Sequence, residues 1–175
     1  YITLEMAEER IAERIDANLF DVTMDDLHDM PKQLYDNKLE KLNAKTNGKL
    51  IIKEYPTASA HSGHFRALMN ELALKKSFKP DVVFIDYLNI CASARFKGGN
   101  ISSYFYVKAI AEELRGLAVE FNLPIFSATQ TTRTGYVSTD IGLEDTSESF
   151  GLPATADFMF ALMSNEELEA LGQMK

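Results

Sequence analysis

The 175-residue sequence contains no tryptophan, five prolines and a single cysteine, Cys91. One thiol excludes an internal disulfide, so burial and hydrogen bonding have to hold the fold, and a reducing compartment is its natural setting. No apolar run approaches the roughly 20 residues that cross a bilayer, and the amino terminus is acidic where a secretory leader is basic. These absences are those expected of a soluble, cytoplasmic protein with no membrane partner. Basic residues are outnumbered, 18 Lys and Arg against 26 Asp and Glu, for a net charge of −8. That balance excludes a protein that coats nucleic acid through its whole surface, but not one with local basic loops on a polyanion-binding face. Absent too is the Gly-x-x-x-x-Gly-Lys-[Ser/Thr] loop, whose backbone amides and lysine cradle nucleotide phosphates.

What is present suffices for an ordinary core: 46% of the residues are hydrophobic and 25% charged. The length suits one domain, residues 1–175. The most informative stretch is residues 81–90, Asp-Val-Val-Phe-Ile-Asp-Tyr-Leu-Asn-Ile. Pro80 stops what precedes it, and Val82, Val83, Phe84 and Ile85 run without a polar break into Asp86. Such a run, with helical patterns on both sides, predicts a strand buried on both faces of a parallel sheet. Asp86 then sits at its carboxyl end, the edge at which open α/β sheets bind ligands. A carboxylate there needs a positive partner, and a hydrated magnesium ion on a nucleotide is one; an aspartate that merely caps the next segment is the other reading.

In chain order, residues 1–4 read as a strand already under way, with no cap, turn or methionine before it, which has the look of a cut edge. Met6, Ala7, Ile11, Ile15 and Leu19 make a helical stripe opposite Glu8, Glu9, Glu13 and Asp16. Thr23 and Asp26 form a capping box for a short helix, Pro31 opens the next with Leu34, Leu39 and Leu42, and Asn47-Gly48 signals a turn. Residues 50–55 predict a second strand, and Phe65, Leu68, Met69, Leu72 and Ala73 a helix from Ser62. After the central strand, Ala94-Arg95-Phe96-Lys97-Gly98-Gly99-Asn100 reads as a mobile surface loop with two basic residues. A helix over 103–121 buries Tyr104, Val107, Ala111, Leu114, Ala118 and Phe121, leaves Glu112, Glu113, Arg115 and Glu120 wet, and ends at Asn122 and Pro124. Residues 124–128 predict a short buried strand with Gln130 just beyond it. Residues 131–149 predict a long functional loop, 156–163 a last strand, and 165 onward a helix cut at Lys175. The alternation is that of a parallel α/β sheet with right-handed crossovers. It brings Glu5, Asp86 and Gln130 to one edge.

The motifs resemble a known family. Thr3-Leu4-Glu5-Met6 followed by Arg14 is similar to the S-L-E-M … R segment of DnaB-type replicative helicases, and Phe84-Ile85-Asp86-Tyr87-Leu88 to their Walker B strand. Residues 110–124 match the helix after that strand, Thr129-Gln130-Thr131-Thr132-Arg133 resembles S-Q-L-x-R, and residues 145–157 align on D-x-R-E-S-G … A-D. Order, spacing and the Leu-Pro-Ala-Thr-Ala-Asp-Phe-Met tail are most similar to the replicative helicases of T-even-like phages. The resemblance runs from Tyr1 to about Glu169.

It implies an α/β, RecA-like P-loop NTPase core, a mainly parallel sheet flanked by helices and incomplete at both ends. The intact protein would be an ATP-dependent DNA helicase, a homohexamer that hydrolyses ATP with Mg2+ at subunit interfaces. It would translocate on single-stranded DNA at the replication fork, with primase and a helicase loader as partners, in the bacterial host cytoplasm. Glu5 would be the general base toward the attacking water, Asp86 the magnesium ligand through a water, and Gln130 the γ-phosphate sensor; a dipole-serving glutamate and an ordinary strand-end amide are the plain alternatives. Arg14 aligns with a family arginine but takes no catalytic role. DNA contacts would come from Arg95, Lys97 and Arg133 and, partly through backbone amides, from Ser147, Glu148, Ser149, Phe150 and Gly151. Ser147 and Phe150 stand where the family has arginine and glycine. The phosphate-binding loop would precede Tyr1 and the finger residues would follow Lys175, so residues 1–175 alone are expected neither to bind ATP tightly nor to hydrolyse it. A RecA- or KaiC-like recombination ATPase and a non-catalytic oligomerisation or DNA-binding module are the alternatives. His61 and His64 have metal-ligand spacing without a third ligand, and Asp140, Glu144, Asp145 and Glu148 read as a solvated loop.

Overall fold

The structure, a computed structural model, describes residues 1–96, 101–130, 151–162 and 170. The elements are β1 (Ile2–Thr3), α1 (Glu8–Phe20), α2 (Met24–His28), α3 (Lys32–Lys45), β2 (Lys53–Glu54), α4 (Ser62–Lys76), β3 (Val83–Asp86), a 3-10 turn (Leu88–Ile90), α5 (Ser103–Phe121), β4 (Ile125–Ser127) and α6 (Gly151–Thr155). The four strands form one sheet in the order β2-β1-β3-β4, and every pairing is parallel. Ile2 lies opposite Lys53 and Ile85, and Val83 opposite Ile125. Each strand-to-strand connection contains a helix, the usual form of the long crossover that parallel pairing requires.

Local chemistry accounts for the boundaries. Thr23 and Asp26 exchange the reciprocal bonds of a capping box at α2. At α4 the cap is made by histidines: the His61 ring accepts from the Gly63 amide at 3.0 Å, and the His64 ring from the His61 amide at 3.2 Å. Their spacing is thus used for capping, and among the described residues no group of three or more His, Cys, Asp or Glu could hold a metal. Asn122 ends α5 in the left-handed region at φ 51°, a conformation that asparagine tolerates.

The largest cluster of buried residues lies on one face of the sheet. Phe65 and Met69 of α4 and Val107, Ile110, Leu114 and Leu117 of α5 meet Ile2, Leu4, Val83 and Ile85 there. On the other face Tyr1, Phe84 and Phe126 stand in a row across β1, β3 and β4, with ring centroids 6.2 and 5.1 Å apart, and Phe84 is 43% exposed. The expectation that β3 is buried on both faces is therefore corrected. An unbroken apolar run does not say which residues are aromatic neighbours across strands, and here the rings cover one another by stacking while one side stays wet.

Other departures have similar causes. On α1 it is Ala17 and Phe20 that are buried with Ile11, while Leu19 is 52% exposed. Phe20 is drawn inward by the Tyr35 ring, edge-on at 5.4 Å, and by Lys38, whose ammonium lies 5.7 Å from the Phe20 ring and donates to the Phe20 carbonyl. β2 is shorter than residues 50–55, and no strand forms over 156–162, which instead follow α6 as irregular, largely exposed chain. The expected turn at Asn47-Gly48 is irregular chain after α3.

Cys91 is packed in the core, and burial, assisted by the Glu113 charge, pushes its thiol up to about 12. The native protein at pH 8 is expected to react with iodoacetamide only as fast as the core opens, whereas urea-unfolded chain, whose thiol has an ordinary pKa of about 8.5, reacts at once. Mass spectrometry at timed quenches distinguishes the two; rapid native labelling would contradict the packing.

Candidate functional site

Because β1, β3 and β4 are parallel, their carboxyl ends share one edge. Thr3 of β1 lies opposite Asp86, the last residue of β3, and Glu5 stands exposed two residues beyond Thr3. The turn that carries Glu5 is fixed on both sides. The Leu4 amide donates to the Asp86 carbonyl at 3.0 Å, and the Thr57 hydroxyl donates to the Leu4 carbonyl at 2.6 Å. The Thr3 hydroxyl donates to the Met6 carbonyl at 2.8 Å and accepts from the Met6 amide at 3.1 Å. A short chain turned by its own threonine in this way competes with continuation of the strand, which explains why β1 stops there.

Asp86 is half-buried, and its carboxylate accepts the Tyr1 hydroxyl at 2.6 Å. Burial, then the hydrogen bond and charge of Asp86, raise the Tyr1 phenol well above its ordinary value, so it remains a donor. The peptide bond between Asp86 and Tyr87 is cis. Beside Asp86 lies an open cleft of about 270 Å3, walled by Tyr1, Met6, Arg14 and the Ile11, Ile15 and Leu19 side of α1. The available donors are hard oxygens, a carboxylate and a phenol, which suits magnesium held through waters.

Past β4, Gln130 is exposed and its amide donates to the Tyr87 hydroxyl at 3.3 Å. The loops after β3 and β4 are stitched together by Thr129 donating to Asn89 at 2.8 Å and the Leu88 amide to the Ala128 carbonyl at 3.2 Å. Gln130 and Asp86 thus sit on adjoining, mutually bonded chain.

The basic segment after β3 is better held than its composition suggests. The Ala92 amide donates to the Ala60 carbonyl at 2.8 Å and the Ser93 amide to the Tyr106 hydroxyl at 3.1 Å. The carboxylate of Glu113 on α5 accepts from the Ser93 hydroxyl at 2.6 Å, the Ala94 amide at 2.9 Å, the Arg95 amide at 3.3 Å and the Ser62 hydroxyl at 2.9 Å. Burial pushes this carboxyl up, but the bonds from Ser93, Ala94, Ser62 and Arg95 outweigh it and hold it below its ordinary value. The Arg95 guanidinium pairs with Glu112.

The expected wet face of α5 is accordingly a set of cross-links. Arg66 of α4 forks onto Glu120 at 2.7–2.9 Å, and Arg115 reaches the Thr155 carbonyl at 2.8 Å and the Asp157 carboxylate at 2.7 Å. Charge on an exposed helix face gives no sequence signal of such partners. Gly151 is buried at the start of α6. Lys97, Arg133, Ser147, Glu148, Ser149 and Phe150, named above as DNA contacts, lie outside the described residues, as do Asp140, Glu144 and Asp145. Tyr1, Thr57 and Glu113 were not foreseen as parts of the site, because their partners lie 85, 53 and 18–51 residues away in sequence.

A parallel α/β sheet with an aspartate at the carboxyl end of β3 and a glutamate just past β1 is the architecture of a RecA-like nucleotide-hydrolase domain, and the comparisons with known proteins agree with it. The DnaB-like helicase C-terminal domain family matches residues 1–171, and the chain belongs to that family. It is 49% identical to the DnaB-like replicative helicase of Enterobacteria phage T4 over 99% of this chain and 37% of that protein. A probable plasmid replicative DNA helicase of Chlamydia trachomatis serovar L2 is 30% identical over 76% of this chain and 28% of its own length. Two solved structures share the fold. One, described as an ATPase domain, superposes with a TM-score of 0.74 at 18% identity over 97% of this chain and 61% of that one. The other, a DnaB-like replicative helicase described with its interactions with primase, gives 0.73 at 19% identity, over 97% of this chain and 41% of that one. The chain thus spans little more than a third of the T4 protein.

Proposed function

We propose that these 175 residues are the base-, metal- and sensor-bearing part of an ATP-driven replicative DNA helicase. In the full protein, Glu5 orients and deprotonates the water that attacks the γ-phosphate. Asp86 holds magnesium through water, its geometry steadied by the Tyr1 hydroxyl; the ion, when bound, neutralises charge on the phosphate oxygens. Gln130 hydrogen-bonds the γ-phosphate with the amide that otherwise donates to Tyr87, and so relays the nucleotide state to the loop beyond it. Single-stranded DNA is gripped by Arg95, Lys97 and Arg133 and by backbone amides over residues 147–151, contacts that need no base recognition. The functional unit is a homohexamer working with primase and a loader in the cytoplasm of a bacterial host.

The observation that carries this reading is the shared carboxyl edge of β1, β3 and β4, which brings a carboxylate, a metal-competent aspartate and an amide to one side of the sheet. ATP turnover by the full-length protein, measured with and without single-stranded DNA, tests it: DNA-stimulated hydrolysis coupled to strand separation is expected. Residues 1–175 alone, which contain no phosphate-binding loop, are expected to show no turnover and no low-micromolar binding of a fluorescent ATP analogue. A full-length protein without turnover in either condition would replace this reading by a DNA-binding or oligomerisation module.

A further inference from the structure

The Glu113 carboxylate does two things that a solvated helix acid does not. It collects four donors from two other parts of the chain, the Ser62 hydroxyl at the start of α4 and Ser93, Ala94 and Arg95 after β3, at 2.6–3.3 Å. It also keeps both hydroxyl partners in the interior, since Ser62 and Ser93 are 7% and 5% exposed. A carboxylate accepting backbone and hydroxyl donors makes charge-assisted bonds, which are shorter and stronger than neutral ones. The chain leaving the Leu88–Ile90 turn therefore reaches Arg95 along a fixed path, with its first basic side chain emerging at a set point on the surface.

The neighbouring acid acts in the opposite sense. Glu112 pairs with the Arg95 guanidinium in an exposed salt bridge, with side-chain exposures of 39% and 52%. A phosphate that approaches Arg95 has to displace Glu112, whereas nothing need displace Glu113.

Resting on the reading that the Arg95 loop meets DNA, we propose that Glu113 is the positioning residue of that loop, holding its backbone for phosphate contact, and that Glu112 competes with the phosphate for Arg95. The two roles have opposite signs, which separates them from bulk electrostatics. Removing any acid beside a phosphate-binding surface tightens DNA on charge alone. Glu113→Gln is expected to weaken it, because the amide nitrogen replaces one acceptor oxygen and faces donors.

The test is binding of fluorescein-labelled oligo-dT to the full-length protein at fixed salt, followed by anisotropy, beside hydrogen exchange. For Glu113→Gln the dissociation constant is expected to rise about tenfold, the scale of a lost charge-assisted bond, with faster exchange at the Ala94 and Arg95 amides and unchanged protection of Ile85 and Leu117. For Glu112→Gln it is expected to fall about two- to threefold, the scale of an exposed pair. Ser93→Ala, which removes the 2.6 Å donor without touching a charge, is expected to weaken binding in the direction of Glu113→Gln, and it decides the matter if Glu113→Gln loses core protection. Unchanged or tighter DNA binding in a Glu113→Gln or Ser93→Ala protein whose loop amides have become exposed would overturn the proposal and leave Glu113 a purely structural acid. Arg95→Ala separates the two levels: if it leaves the affinity of the unsubstituted protein intact, the DNA reading of this loop fails, and the positioning role falls with it.

Discussion

Replacing Glu5 by glutamine in the full-length protein is expected to lower single-strand-stimulated ATP hydrolysis by about 10²–10⁴-fold, the contribution of a general base, while ATP affinity changes little. The substitution keeps shape and hydrogen-bonding reach and removes only basicity. The turn around it should survive, because its bonds come from Leu4, Thr57, Thr3 and Met6 and none from the Glu5 side chain. The competing account is that Glu5 merely complements the amino terminus of α1. That account predicts comparable behaviour from Glu8 and Glu9, which lie in the first turn itself, behind the cap at Ala7. Glu8 is otherwise engaged, accepting from the Glu54 amide at 2.9 Å and the Lys53 ammonium at 3.2 Å, so Glu8→Gln should cost a little stability and leave turnover nearly intact. Turnover by Glu5→Gln within about fivefold of the unsubstituted protein would remove Glu5 from the chemistry; equal losses in both variants would favour the dipole account.

Much of the architecture was legible because it is written in periodicity. Val82, Val83, Phe84 and Ile85 announced β3, and the spacing from Phe65 to Leu72 announced α4; both formed. The Thr23 and Asp26 box is purely local and was readable as such. What failed depended on neighbours. Phe84 was expected in the interior, yet its partners are Tyr1 and Phe126, rings from strands 42 or more residues away, and stacking satisfies it with one side still open. Leu19 fits the stripe of α1 and is nonetheless exposed, because Phe20 has the better partners in Tyr35 and Lys38. Residues 156–162 look strand-like in composition but form irregular, exposed chain, tied by Asp157 to Arg115 of α5.

The site was legible to a different depth. Glu5, Asp86 and Gln130 each follow a predicted strand, so parallel topology alone brings them to one edge, and the parallel pairing of β1, β3 and β4 does so. Their supports were not legible. Tyr1 on Asp86, Thr57 on Leu4 and Glu113 on residues 93–95 are side-chain bonds across long sequence separations, which no spacing rule encodes. His61 and His64 show the converse: their metal-like spacing resolves into two local capping bonds. The residues expected to do the chemistry sit where strands end, while those that hold them still come from wherever the fold brings a donor.

The uneven packing of the sheet's two faces leads to the second large effect. Phe65→Ala is expected to cost about 3–5 kcal/mol, the range for deleting a fully buried phenylalanine, because both transfer energy and packing around the void are lost. Phe65 is 0% exposed and meets the Tyr55 ring edge-on at 5.8 Å, between α4 and the sheet. Against a typical total of about 5–15 kcal/mol, that loss is a large fraction of what keeps the domain folded. Phe84→Ala deletes the same side chain from the open face, where 43% exposure and two stacking partners put the cost nearer about 1–2 kcal/mol. Urea unfolding of residues 1–175 followed by far-ultraviolet circular dichroism measures both. Midpoints that fall together would mean that the sheet is buried equally on its two faces. A much lower midpoint for Phe65→Ala than for Phe84→Ala means that the sheet carrying Glu5 and Asp86 at its carboxyl edge draws more of its stability from the face covered by α4 and α5 than from the face of Tyr1, Phe84 and Phe126.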